Sequence, residues 1–230
     1  MTLKILNLYA GIGGNRKLWN GDIEVTAIEN NKAIAELYKQ FYPGDKVIIA
    51  DAHQYLLEHY KEFDFIWSSP PCPSHSRARF WGSFGKGRTI IYPDMRLYQE
   101  IIFLTHYCKN IKWVVENVKP YYKPLIEAQQ LGRHLFWSNF IIPGFKSETL
   151  FFPKDSLPTL QKIYGIELGK LNVDIDKRVI LRNMVNPELG LHIIKQIEVP
   201  KKAEENCEIC KDYPKEYWCG KEENKKEKKE

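Results

Sequence analysis

Ile5-Leu6-Asn7-Leu8-Tyr9-Ala10-Gly11-Ile12-Gly13-Gly14 is the stretch whose reading decides the fold. Its apolar start reads as a strand, and its glycines read as a tight turn that opens a helix at 13–19. Glycine adopts positive φ without a Cβ clash, so such a turn lets backbone approach a ligand closely. The spacing is not that of a dinucleotide or P-loop fingerprint. Two readings therefore stay open here, a cofactor cradle and an ordinary turn.

Outward from this turn, strand and helix patterns alternate. Residues 23–29 read as a strand, and 31–41 as a helix with Ile34, Leu37, Tyr38 and Phe41 on one face. Strand, helix, strand repeats at 46–50, 52–60 and 63–67. Residues 94–110 form a helix pattern capped by Asp94, with Leu97, Ile101, Leu104 and Cys108 in one stripe. Residues 112–116 read as another strand, and 187–197 as a helix with proline in its first turn. Strands separated by helices of this length predict an α/β fold: a mostly parallel sheet with helices on both faces.

The carboxyl edge of such a sheet is where ligands bind, and three kinds of residue gather there. Cys72 stands in Pro70-Pro71-Cys72-Pro73, directly after the strand at 63–67. It reads either as a rigidly presented nucleophile or as an inert buried thiol. A free thiol is only a few per cent ionised at neutral pH, and Arg77, Arg79 or His75 nearby would raise that fraction. Glu29 and Asp51 end the second and third strands. Each is placed to accept from a ligand, Glu29 from ribose hydroxyls and Asp51 from an adenine amino group, or to cap a helix. Glu116, among apolar neighbours at the end of its strand, has the surroundings that raise a carboxyl pKa and make it a proton donor.

Residues 74–92 interrupt the alternation with a glycine-containing loop carrying Arg77, Arg79, Lys86 and Arg88 among Phe80, Trp81 and Phe84. These cations are the candidate nucleic-acid contacts. The 230 residues carry a formal net charge of +5, all of it on residues 1–199, which is compatible with a polyanionic partner. Neither a long apolar run nor a basic-then-apolar leader is present, so no membrane association is expected and a cytoplasmic location is. The five cysteines, an odd number, fit a reducing compartment. Cys207, Cys210 and Cys219 have part of a zinc-site spacing without a nearby fourth ligand, and the reading adopted is no metal.

Taken in order, these segments resemble the DNA cytosine-5 methyltransferase family. Residues 8–14 are similar to its S-adenosylmethionine motif, Pro70-Pro71-Cys72 to its nucleophile motif and Glu116-Asn117-Val118 to its glutamate motif. Gly132-Arg133-His134-Leu135-Phe136-Trp137 resembles its arginine-bearing strand, with Arg133 preferred over His134 for the arginine. Residues 182–187, including Asn183, resemble the final motif, which packs back on the first. Tyr9 stands where phenylalanine is usual, Asn7 where an acid is common, and Pro73 where glutamine is frequent.

The resemblance implies a Rossmann-like methyltransferase fold with S-adenosyl-L-methionine as cofactor. Tyr9 would pack on the adenine, and Ala10, Gly11, Gly13 and Gly14 would hold the methionine part. Glu29 and Asn30 would serve the ribose side, Asp51 and Ala52 the adenine, and Asn183 the carboxylate, with Pro70 completing the site. Cys72 would attack C6 of a cytosine flipped out of its stack, assisted by Glu116 at N3 and by Arg133. The implied partner is double-stranded DNA, met by a monomer, with a companion restriction endonuclease left open. A tRNA substrate and a catalytically silent DNA-binding relative are the alternatives. The expected organisation is a catalytic and cofactor-binding domain at 1–140, a reduced target-recognition region at 141–177, the final motif at 178–199 and a charged tail at 200–230.

Overall fold

The computed structural model describes residues 2–85, 89–146, 156–168 and 175–197. Seven strands form one sheet in the order β3-β2-β1-β4-β5-β7-β6. They are β1 (Leu3–Leu8), β2 (Ile23–Ile28), β3 (Lys46–Ile48), β4 (Phe65–Ser68), β5 (Lys112–Val118), β6 (Gln129–Leu131) and β7 (His134–Ser138). The first five run parallel, while β7 pairs antiparallel with both β5 and β6. Strand order reverses between β1 and β4, which makes the crevice beyond their carboxyl ends the natural ligand site.

Side-chain alternation divides the core between the two faces. Leu6, Leu8, Ile66 and Val115 pack on one side with α2 (Ala52–His59) and α4 (Arg96–Tyr107). Ile5, Val25, Phe65, Trp67 and Val114 pack on the other with Trp19 and α7 (Pro187–Ile194). Helix α1 (Lys32–Phe41) is capped by Asn31, whose side chain accepts from the Ala33 and Ile34 amides, and it buries Ala35, Leu37 and Tyr38. The sheet, its covering helices and the strand order are those of a Rossmann-like methyltransferase fold.

Four local expectations change. Residues 13–19 make only a 3-10 turn, Asn15–Leu18, because Gly13 at φ 77° breaks any helix start and buried Asn15 bonds instead to Asn7 at 2.8 Å. The expected loop at 74–92 contains α3 (Arg77–Gly85), nucleated by the Cys72 carbonyl, which accepts from the His75 and Ser76 amides. Its glycines suggested a loop, but Arg77 to Trp81 are compatible with a helix. Asp94 bonds the Arg96 amide at 3.0 Å, yet the cap position of α4 is Met95. Strand β5 runs on to Val118 because β7 pairs along its whole carboxyl half, so Glu116 lies inside the strand opposite Phe136.

Behind the glycine turn, α7 lies against residue 15. A Cβ built on Gly190 would stand 2.2 Å from the Asn15 carbonyl oxygen and 2.8 Å from its Cα. Both are backbone atoms, and the turn is further tied by the Trp19 indole N–H donating to the Gly190 carbonyl at 3.1 Å. Gly190→Ala is expected to cost about 1–3 kcal/mol of stability, the usual range for overpacking. The measurement is a lowered urea midpoint with an unchanged slope; an unchanged midpoint would contradict this packing.

Candidate active site

The cofactor side of the crevice is built from the ends of β1, β2 and β3. Tyr9 and Gly11 have φ of 54° and 56°, so the chain turns back on itself directly after β1. Glu29 stabilises the turn: its Oε2 accepts from the Gly11 amide at 3.0 Å and its Oε1 from the Asn31 amide at 2.9 Å. Each oxygen keeps a further acceptor site, which fits a carboxylate positioned to receive two hydroxyls. Ala10 is buried and donates its amide to the Ile28 carbonyl, while Asn30 is exposed beside Glu29.

The glycines divide by task. A Cβ on Gly11 would meet nothing within 4 Å, so this position opens onto the crevice. On Gly13 it would meet the Tyr42 and Tyr38 rings, and on Gly14 the Val185 carbonyl and Met184. Gly13 and Gly14 therefore have no side chain because other parts of the protein occupy the space. The Met184 contact brings the 182–187 segment back onto the first turn, with Asn183 exposed at the end of α6 (Lys177–Arg182). Helix α5 (Leu157–Tyr164), inside the expected recognition region, packs Leu160 and Tyr164 beside Ile12 of the same turn.

Asp51 caps α2, accepting from the Gln54 amide at 3.0 Å, and its other oxygen pairs with Arg96 at 3.1 Å. Those contacts, the amide first, hold its carboxyl below the ordinary carboxylate range. Ala52 follows as the buried first residue of α2.

On the nucleophile side, Asn117 donates to the Pro70 carbonyl at 2.9 Å and accepts from the Val118 amide at 2.9 Å. The Pro-Pro-Cys turn is thereby tied to the strand that carries Glu116. Cys72 is half-buried, and burial together with the charge of Glu116 pushes its thiol up to about 11. The cation that opposes this is Arg133. Arg77 instead donates to the Pro120 carbonyl at 3.1 Å, and burial lowers the pKa of His75, so neither is the thiol's activating partner.

Glu116 is buried, and desolvation raises its carboxyl to about 7 against the opposing Ser69 hydrogen bond and Arg133 charge. His134 Nε2 lies 3.6 Å from Glu116 Oε1. Burial drives that imidazole down to about 3, so it is neutral and the pair is not an ion pair. The positive charge at this strand start belongs to Arg133, which also donates to the Arg182 carbonyl at 3.3 Å.

Glu100 of α4 is 1% exposed and was not among the expected site residues. Its Oε1 accepts from the Tyr9 hydroxyl at 2.5 Å and pairs with His53 Nδ1 at 3.0 Å; its Oε2 accepts from Ser68 Oγ at 2.6 Å. A carboxylate three positions after Leu97, on the apolar stripe of the helix, was the available signal.

Beside the end of β5 lies an open cleft of about 460 Å³, bordered by Arg77, Lys119, Lys123, Tyr121, Tyr122 and Gln130. Of the expected nucleic-acid contacts it includes Arg77, while Arg79 donates to the Thr89 carbonyl at 3.1 Å. Lys119 and Lys123, which follow the glutamate motif rather than the arginine-rich segment, were not among the expected contacts. Lys86, Arg88, the tail at 200–230 and its Cys207, Cys210 and Cys219 lie outside the described residues, as do parts of the 141–177 region. No group of His, Cys, Asp and Glu among the described residues is arranged to hold a metal ion. No helix among them is long and apolar enough to cross a membrane.

The candidate site thus combines a thiol at the carboxyl edge, a buried carboxyl raised to about 7 that acts on it electrostatically, and a turn with Tyr9 and Gly11 at positive φ at the topological switch point. Residues 3–124 match the family model for C-5 cytosine-specific DNA methylases, and the chain belongs to that family. It is 30% identical over 127 residues to a tRNA (cytosine(38)-C(5))-methyltransferase of Spodoptera frugiperda, covering 52% of this chain and 36% of the relative. The chain thus spans about a third of that relative's length. A crystal structure of a Spodoptera frugiperda DNMT2 mutant matches with a TM-score of 0.38 and 28% identity, over 51% of this chain and 36% of that one. A SAM-dependent methyltransferase from Agrobacterium tumefaciens matches with a TM-score of 0.35 and 16% identity, over 53% and 40%. The family's cofactor is S-adenosyl-L-methionine. The open face at Gly11 and the spare acceptor sites of Glu29 fit it.

Proposed function

We propose that this chain transfers a methyl group from S-adenosyl-L-methionine to C5 of cytosine in DNA. The observation that carries the proposal is the joining of the Cys72 turn to the Glu116 strand through the Asn117–Pro70 hydrogen bond, with Arg133 acting electrostatically on both reacting groups. Cys72 gives up its proton to solvent and its Sγ bonds to C6 of the ring. Electron density moves towards N3, where Glu116 delivers a proton, and C5 becomes a carbon nucleophile. The cofactor supplies an electrophilic methyl group, leaving as S-adenosylhomocysteine. Water takes the C5 proton, the freed electron pair re-forms the C5–C6 double bond as the C6–S bond breaks and Cys72 leaves as a thiolate, and the N3 proton returns to Glu116. C6 is unreachable within a stacked duplex, so the base is extruded first, at a cost of a few kcal/mol. The Arg77, Lys119 and Lys123 cleft offers cations for the flanking phosphates.

The second reading is the same chemistry on tRNA, favoured by the relative that shares 30% identity with residues of this chain. Parallel assays of tritiated methyl transfer to duplex DNA and to tRNA decide between them. Incorporation into DNA supports the first reading, incorporation into tRNA alone supports the second, and incorporation into neither removes both.

A further inference from the structure

Glu100 joins elements that belong to opposite halves of the site. Tyr9 follows β1 on the cofactor side, and Ser68 ends β4 four residues before Cys72. Both hydroxyls donate to this one buried carboxylate, Tyr9 to Oε1 and Ser68 to Oε2. One helical turn earlier, Arg96 holds Asp51 at the start of α2, and Glu100 also engages His53 on the first turn of that helix. The amino-terminal half of α4 therefore holds three segments around the crevice: the turn after β1, the start of α2 and the end of β4.

A carboxylate of 1% exposure is costly unless its lone pairs are occupied, and here the Tyr9 and Ser68 hydroxyls donate to it and His53 Nδ1 stands at hydrogen-bond distance. Removing any of the donors leaves acceptor capacity buried and unsatisfied. Tyr9 has an additional constraint, since its φ of 54° is unfavourable for a bulky residue and persists only where surrounding contacts hold it. The Glu100 hydrogen bond is the polar contact that keeps its ring in place.

We infer that Glu100 is a positioning residue with two separable arms: through the Tyr9 hydroxyl it fixes the cofactor pocket, and through Ser68 Oγ it fixes the strand end that presents Cys72. The inference rests on the methyltransferase reading. Its distinctive content is that the arms affect different steps. Tyr9→Phe removes the first arm alone and is expected to weaken S-adenosylhomocysteine binding about 5–10-fold, the loss of one hydrogen bond to a charged group. The chemical step at saturating cofactor should be affected less than the binding is. Ser68→Ala removes the second arm and is expected to slow that step about tenfold with the cofactor dissociation constant unchanged. Glu100→Gln should show both effects.

Calorimetric titration with S-adenosylhomocysteine measures the first arm without turnover. Single-turnover methylation, on whichever of duplex DNA and tRNA the wild type methylates, measures the second. Urea midpoints, taken in parallel, confirm that each variant is folded under assay conditions. A wild type that binds no S-adenosylhomocysteine overturns the methyltransferase reading, and the inference with it. A wild type that binds, with Tyr9→Phe and Ser68→Ala lowering stability alone or shifting both readouts together, overturns only the two-armed role. If Glu100→Gln fails to fold, the two single-arm variants still decide the question.

Discussion

Cys72→Ser should lose methyl transfer by on the order of 10⁴-fold or more, with cofactor binding and folding retained. The substitution preserves size and changes only the attacking atom. With the thiol at about 11, the thiolate fraction at neutral pH is small, but sulfur remains far more nucleophilic than a serine hydroxyl, whose ionised form is negligible in the same pocket. The loss corresponds to about 5 kcal/mol or more of transition-state stabilisation. Methyl transfer to the candidate polynucleotide by the two proteins is the check, and an unchanged rate in the variant would remove the covalent mechanism.

Glu116→Gln carries the second large effect. The amide retains the shape of the side chain but has no proton to give, so the rate is expected to fall about 10²–10⁴-fold. The active form of the wild type has a thiolate and a protonated carboxyl, one proton shared between two groups that titrate near 7 and 11. Its rate should rise tenfold per pH unit below about 7, run level between the two values and fall above about 11. Glu116→Gln should lose the break near 7 and rise steadily up to the thiol's own value.

Stability provides an independent readout of the same carboxyl. Its folded pKa is raised from 4.5 to about 7, chiefly by burial, so its favourable contribution is complete below 4.5 and lost as pH rises through 7. The variant should gain on the wild type across that window, reaching about 3 kcal/mol above pH 7. Urea unfolding at pH 4.5 and pH 8.5 tests this. An equal difference at both pH values would place Glu116 in water rather than in the desolvated site.

Most of what lies along one segment was legible from the residues. The turn after β1 and the Pro-Pro-Cys turn after β4 each combine an apolar strand with local punctuation, and parallel strands bring their carboxyl ends to one edge. What was not legible depends on non-local pairing. Strands β6 and β7 are short, and Gln129-Gln130-Leu131 has no hydrophobic period. The antiparallel pairing that extends β5 and places Arg133 and His134 near Glu116 therefore left no local signature. The glycines at 82 and 85 hid α3. Glu100 drew no reading from the sequence although it lies beside the apolar stripe of its helix, because which buried hydroxyls meet its carboxylate depends on strands far away in the chain. The activating partners of Cys72 were assigned by sequence proximity, to Arg77, Arg79 or His75, whereas the charge that acts on it comes from Arg133 across the sheet.

The covalent bond itself is the most direct measurement of the mechanism. The protein is incubated with S-adenosyl-L-methionine and 5-fluorocytosine-substituted duplex DNA or tRNA. The fluorine blocks removal of the C5 substituent, so the enzyme stays attached once the methyl group has been transferred. Denaturing mass spectrometry of the peptides should find the nucleotide on Cys72 in the wild type and no adduct in Cys72→Ser. Methylation of the unsubstituted polynucleotide without any adduct at Cys72 on the fluorinated one, or an adduct that persists in Cys72→Ser, would contradict the assignment.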